Sequence, residues 1–309
     1  MFPLPFGEGR VREVFGTLTT ILLALALAAA PGHVLAQKKL RVVATSADLK
    51  SLAEVVGGSR VEVVSLAAPE QDPHAIEVKP AQLARMQSAA LLIRVGLDHE
   101  PWLSKLRLPA SVAVLNAALG VRLIQTETPR LRVERRAHSH AYGNTHYWLD
   151  PENAVAITAA IRDALAKLSP PDSSVFETNR SAFILKLTKN VDEWKKALAP
   201  FRGAKLVVVH DSWSYFAERF GLQIVAAAEP QPGVPPSPAE LATLFQRMRE
   251  SGVKIVIADP HSNPSLVRQI TARTGAHAVT LLPSGADYIR LLDENVSRLV
   301  AGLTQVQKN

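Results

Sequence analysis

Residues 40–58 read LRVVATSADLKSLAEVVGG, and the order of events in that stretch decides the fold. Leu40 to Thr45 is an aliphatic run with no polar alternation, as expected of a strand covered on both faces. Ser46 then stands where a helix needs an acceptor for its first unpaired amides. Leu49, Leu52, Ala53 and Val56 recur behind it at helical spacing, and Gly57-Gly58 ends the run. A buried strand followed at once by an amphipathic helix is the unit of a parallel sheet. The same alternation predicts further strands at 61–66, 90–96 and 111–116. A helix opens at Asp150-Pro151 with Ile157, Ile161, Leu165 and Leu168 on one face, the proline sitting where the first turn needs no donor. After Pro170-Pro171, residues 172–198 read as one long helix. It is polar around most of its circumference, with a single apolar stripe of Phe176, Phe183, Leu187, Val191 and Trp194. A second alternation follows, with strands at 205–209, 223–228, 254–258 and 278–282 and helices at 213–220, 238–250, 264–274 and 286–303. The expectation is an α/β protein with two Rossmann-like lobes, each with a parallel sheet, joined by a long rigid helix. The N-terminal lobe is 37–170, the connecting helix 171–203 and the C-terminal lobe 204–309.

Length and composition agree with two lobes and close off several kinds of chemistry. A chain of 309 residues is about two domains long, and 47% apolar with 20% charged residues excludes a disordered or collagen-like chain. Cysteine is absent, which rules out disulfides, thiolate zinc sites, iron–sulfur clusters, cysteine nucleophiles and a lipid-modified cysteine anchor. Any metal here must be held by nitrogen and oxygen. The net charge of +7 has one dense basic run, Arg130, Arg132, Arg135 and Arg136, without interleaved aromatics, so it reads as a solvated loop and no nucleic-acid partner is expected. At the N-terminus, Arg10 and Arg12 precede an uncharged stretch from 14 to 30. Pro31-Gly32 then breaks the helix and Val34-Leu35-Ala36 precedes Gln37. That is the order of a cleavable signal peptide, 1–36, although Glu8 and Glu13 are unusual in its first part. Its apolar stretch falls short of the roughly 20 residues that comfortably span a bilayer. The leader marks an exported protein.

In parallel α/β sheets, ligands bind beyond the carboxyl ends of the strands. Three histidines lie at such positions. His74 follows the second strand in Gln71-Asp72-Pro73-His74, His146 precedes the first-lobe helix in Asn144-Thr145-His146-Tyr147-Trp148, and His210 ends Leu206-Val207-Val208-Val209. Two come from the first lobe and one from the second, so a cleft between the lobes would bring them together as metal ligands. Asp259, at the end of the strand at 254–258, is the candidate for a fourth ligand, with a helix cap or an ion-pair role as its alternative and water as a third option. Imidazole suits Zn2+, whereas Mn2+ prefers oxygen donors, so zinc is expected ahead of manganese or iron. His99 and Trp102 are expected to line the cleft by packing, His261 to lie near Asp259, and His277 to sit at the surface. The proline-rich loop from Glu229 to Pro236 is expected to shape the cleft rim or a docking face.

The phrases QDPHAIEVKPAQL, GLDHEPWL, GNTHYWLDPENA, VVVHDSWSYFAERFGL and EPQPGVPPSPAEL, in that order, together resemble the zinc- and manganese-type substrate-binding proteins of bacterial ABC transporters, the cluster A-I, TroA- or ZnuA-like family. The resemblance covers nearly all of 37–309. It implies a periplasmic protein that captures a divalent metal and delivers it to a membrane permease for import, with ligands at the three histidine phrases. The family usually adds an Asp after the last strand of the second lobe, but Thr280-Leu281-Leu282-Pro283-Ser284-Gly285 has no carboxylate there. Many members carry a histidine-rich loop before the second ligand phrase; with two histidines, His138 and His140 make a poor version of it, so a polar loop is their first reading and metal capture the alternative. The expected partner is the permease, and the expected state is a monomer. The alternative is an exported zinc-dependent hydrolase using three histidines and a bound water, with Glu77 or Asp211 as base. Against it, the sequence holds neither an H-E-x-x-H helix nor a Gly-x-Ser-x-Gly elbow.

Overall fold

Aliphatic runs and capped helices alternate as the sequence predicts, and in the computed structural model, which describes residues 1–2, 38–71, 73–124, 143–230 and 233–308, they assemble into two parallel sheets. The first contains β1 (Leu40–Ala44), β2 (Val61–Ser65), β3 (Leu91–Arg94) and β4 (Ala113–Asn116) in the order β2-β1-β3-β4. The second contains β5 (Lys205–Val208), β6 (Gln223–Ala227), β7 (Ile255–Ala258) and β8 (His277–Thr280) in the order β6-β5-β7-β8. One topology thus occurs twice. In each sheet the chain reverses its direction of travel beside the first strand, which opens a crevice beyond the carboxyl ends of β1 and β3, and again beyond β5 and β7.

Helices cover both sheets. Helix α1 (Ala47–Gly57) starts at Ser46, whose hydroxyl accepts from the Leu49 amide at 3.3 Å. Helix α2 (Pro80–Gln87) is not foreseen by the sequence reading: it buries only Met86 and so carries no apolar stripe to announce it. Helix α3 (Asn153–Leu168) begins after Pro151 rather than at it. Tyr147–Leu149 first form a 3-10 turn, and an Asp150 carboxylate oxygen accepts from the Glu152 amide at 2.9 Å. Helix α4 (Ser173–Leu198) is the long connector. It buries Phe176, Phe183, Leu187, Val191, Trp194 and Leu198 while packing against α1 and α3 on one side of the chain and α8 on the other. The second half adds α5 (Ser214–Phe220), α6 (Pro238–Ser251), α7 (Pro264–Thr274) and α8 (Tyr288–Lys308), the last running five residues beyond its expected end.

The two sheets do not keep separate cores. A single buried apolar cluster includes Leu49, Ile93, Trp148 and Phe183 together with Val208, Phe216, Tyr288 and Leu299, so it runs from one sheet to the other. Smaller clusters lie around Val207, Leu244 and Val256 and around Val43, Met86 and Leu92. Residues Lys39–Asn309 accordingly form one compact unit. Most of the leader, the arginine-rich run and both His138 and His140 lie outside the described residues.

Candidate metal centre

The fold brings His74, His146 and His210 together: one ring nitrogen of each lies within 4.8 Å of the other two. His210 follows β5, at the crevice of the second sheet. His74 sits in a 3-10 turn (Pro73–Ala75) beyond β2, and His146 in the buried segment before α3. The Nε2 atoms of His74 and His146 are 3.4 Å apart. Ring centroids stand 5.4 Å apart for His74 and His146, 5.2 Å for His146 and His210, and 5.9 Å for His74 and His210. Two imidazoles on one tetrahedral zinc, with Zn–N of about 2.0–2.1 Å, place their nitrogens about 3.4 Å and their centroids about 5 Å apart. The three rings therefore stand close to the spacing that one such ion requires.

Each ring has an acceptor behind it. The Nδ1 of His74 is 3.0 Å from the His99 carbonyl, that of His146 is 3.1 Å from the Asn144 amide oxygen, and that of His210 is 3.3 Å from Glu229 Oε2. Such partners turn the Nε2 lone pairs inward. The Asn144 oxygen also accepts from the His146 backbone amide at 2.9 Å, and the Asn144 side-chain amide donates to the Asp211 carbonyl at 2.9 Å, so the His146 segment is tied to the His210 segment. His99 is fully buried, with Nδ1 2.9 Å from the Thr145 hydroxyl. Its ring centroid lies only 4.0 Å from that of His74, which is packing contact, as expected. Trp102 donates from its indole to the Pro73 carbonyl at 3.0 Å and steadies the His74 turn.

A strained turn underlies that arrangement. Gly96, Leu97 and Asp98 take φ of 81°, 56° and 57°, a left-handed run costly for the two that are not glycine. Glu100 holds it, accepting from the Val95 and Gly96 amides at 2.7 and 3.0 Å and from the Thr45 hydroxyl at 2.5 Å. Burial pushes the Glu100 carboxyl above its ordinary range, against the pull of those donors. The turn delivers the His99 carbonyl to His74.

Asp259 ends β7 beside His210 but is already engaged. It is 3% exposed, with Oδ1 accepting from the Trp213 indole at 2.8 Å and Oδ2 from the Ser212 hydroxyl at 3.1 Å. Burial raises its carboxyl, and the neighbouring His210 and the Trp213 hydrogen bond pull it back. Exposed His261 has its Nε2 3.9 Å from Asp259 Oδ2, and its ring centroid is 6.4 Å from that of His210. His277 is half-buried in β8 rather than at the surface, because its strand lies under α8. Asp211 accepts from the Ser214 hydroxyl at 2.6 Å, and Glu77 is exposed. The acceptors Asn144 and Glu229 had no signal of their own in the sequence, since each is recognisable only from what the fold sets beside it.

Comparison with known proteins accords with this geometry. The family model for ZnuA, described as zinc-uptake complex component A, periplasmic, matches residues 42–302. The high-affinity zinc uptake system protein ZnuA of Yersinia pestis is 26% identical over 249 residues, covering 74% of this chain and 77% of that protein. The zinc-binding lipoprotein AdcA of Streptococcus pneumoniae R6 is 25% identical over 300 residues, 91% of this chain but only 59% of its own length. A ZnuA crystal structure superimposes with a TM-score of 0.76 at 26% identity, covering 86% of this chain and 99% of that one. The laminin-binding protein of Streptococcus agalactiae, at 23% identity and a TM-score of 0.74, shares the fold. With most of its length matched, the chain belongs to the family of the periplasmic zinc-uptake component ZnuA.

Proposed function

We propose that this protein is a periplasmic solute-binding protein that captures Zn2+ and delivers it to the membrane permease of an ABC transporter. The observation that carries the reading is the 3.4 Å between the Nε2 atoms of His74 and His146, with His210 closing the triangle. Three neutral imidazoles favour zinc over manganese or iron, which take more oxygen donors. The names of the relatives, which bind or take up zinc, point the same way. His74, His146 and His210 are the ligands in this reading. Asp259 is the candidate fourth, and its oxygens, which accept from Ser212 and Trp213, stand outside the close group that the three histidines form.

The family is a metal-binding transport component, and we read this member as a carrier without catalytic activity. The two carboxylates that would serve a hydrolase support this reading, one being hydrogen-bonded to Ser214 and the other exposed. The leader at 1–36 and the periplasmic family description support export, and among the described residues no helix is long and apolar enough to cross a membrane. We take 37–170 and 204–309 as lobes on either side of the helix at 171–203, working as a monomer that docks on the permease.

Native mass spectrometry of residues 37–309, stripped of metal and offered equimolar Zn2+ and Mn2+, tests the reading. One tightly held zinc is expected, lost in His210→Ala. A preference for manganese, or zinc retained in that variant, would overturn the ligand set.

A further inference from the structure

The parallel register of β5 and β6 pairs Val208 with Ala227, and the ladder continues past both strands. The Ala228 amide donates to the Val208 carbonyl and the Glu229 amide to the Val209 carbonyl, each at 2.9 Å. Two steps beyond Val208 on one strand is His210, and two beyond Ala227 on the other is Glu229. The backbone thus sets this carboxylate beside this imidazole before any side-chain preference acts. The Glu229 side chain is 11% exposed; its Oε2 lies 3.3 Å from His210 Nδ1 and accepts from the Gly233 amide at 3.2 Å. That second bond ties the carboxylate to Gly233 within the proline-rich loop.

A neutral imidazole has one N–H to place, and an anion beside Nδ1 draws it there, which leaves the Nε2 lone pair bare. For His210 that lone pair is the one available to a metal shared with His74 and His146. The acceptors behind those two rings are a carbonyl and an amide oxygen, which orient without adding charge. Glu229 brings a full negative charge, and a carboxylate behind a ligating imidazole raises its basicity toward the cation.

We propose that Glu229 is a positioning residue of the metal site: it holds His210 as the Nδ1–H tautomer and lends its charge to the cation through the ring, without touching the metal. The inference rests on the reading of His210 as a ligand. It also bears on selectivity, because negative charge reaches the cation with no oxygen donor added to the coordination sphere, and oxygen is the donor type manganese favours.

The test is zinc competition against a chromophoric chelator with wild type, Glu229→Gln, Glu229→Ala and His210→Ala, each checked for an unchanged melting temperature. Long-range 1H–15N spectra of the metal-free proteins accompany it. Glu229→Ala should weaken zinc binding by about 10–100-fold, the range seen when partners behind metal ligands are removed. Glu229→Gln, which still accepts from Nδ1, should recover part of the loss. In the spectra, His210 should carry its proton on Nδ1 in wild type and Glu229→Gln and shift toward Nε2 in Glu229→Ala. Wild-type affinity in Glu229→Ala, or an Nδ1 proton that stays put, would overturn the proposal while His210→Ala still loses zinc. Undiminished zinc binding in His210→Ala would instead overturn the ligand reading, and the tautomer measurement would still decide whether Glu229 orients the ring. Should Glu229→Ala melt early, Glu229→Gln decides alone: unchanged affinity and unchanged competition kinetics would count against a role for the charge.

Discussion

Asp48 sits in the first turn of α1 with no exposure to water, accepting from the Ser284 hydroxyl at 2.7 Å and the Gly285 amide at 3.2 Å. It binds the segment in which the family resemblance leads one to expect a ligating Asp, so here that segment is joined to the first half of the chain. Burial lifts the Asp48 carboxyl to about 7, outweighing the hydrogen bonds that lower it. A carboxyl raised on folding keeps its proton in the native state where the unfolded chain has lost it. Its contribution to stability is therefore full below about pH 4 and is lost as pH rises toward 7. Between pH 5 and pH 8 this one group should cost roughly 2–3 kcal/mol. Asp48→Asn can keep the Gly285 bond on its oxygen and donate to Ser284 from its nitrogen, so urea melts at both pH values should show the variant free of that decline. Parallel pH dependence in the two proteins would refute a protonated Asp48. At this scale, strand-end position was enough in the sequence to suggest that His74, His146 and His210 would face one another. Lateral neighbours were not legible, because the pairing of Glu229 with His210 follows from sheet register, and the engagement of Asp259 by Ser212 and Trp213 from how β5 and β7 lie together.

Helix α5 leaves the end of β5 just after His210 and grips the segment that carries His146. The Tyr215 hydroxyl donates to the Asn144 carbonyl at 3.0 Å, and Arg219 forms a fork with Asp150, both bonds 2.7 Å, with a further contact to Glu152 at 2.6 Å. The segments that carry His146 and His210 are thereby tied to each other, while His74 belongs to a half-buried turn beyond β2. Removing Arg219 strands a buried carboxylate. Because the Arg219 side chain keeps 20% exposure, the cost should be roughly 2–3 kcal/mol, below that of a fully buried pair. Arg219→Ala should also weaken zinc binding, by loosening His146 relative to His210, and thermal melts beside zinc titrations separate the two effects. Lower stability with unchanged zinc affinity would mean that the clamp holds the fold and not the ligand. Periodicity announced α4, whose buried stripe is the one visible in the sequence, and the alternation announced both sheets. It did not announce α2, which buries too little, nor the 3-10 turn ahead of α3, where Asp150 serves Arg219 and the Glu152 amide at once.

For the molecule as a whole, the sequence separates two halves that the packing joins. Strand order repeats from one half to the other, yet the largest apolar cluster passes between them, and α4 rests on helices of both. Trp148 donates to the Pro283 carbonyl at 2.8 Å, and the Tyr288 hydroxyl donates back to the Trp148 carbonyl at 2.5 Å, which closes the two halves around the His146 segment. No pattern of hydrophobic spacing within either half could reveal that link. It follows that residues 37–309 should unfold in one calorimetric transition with or without zinc. Zinc at a thousandfold excess over its dissociation constant adds about 4 kcal/mol by mass action. In a chain of this size that is a rise in melting temperature on the order of 10 °C. The rise should shrink as pH falls from 7.5 to 5, because protons compete with the metal for the imidazoles. Two transitions with only one moved by zinc would place the ion inside a single lobe, and a rise independent of pH from 7.5 to 5 would take it away from the histidines. A single transition that zinc raises and acid lowers is the result expected of a histidine site in one cooperative unit, to which one half gives His74 and His146 and the other His210.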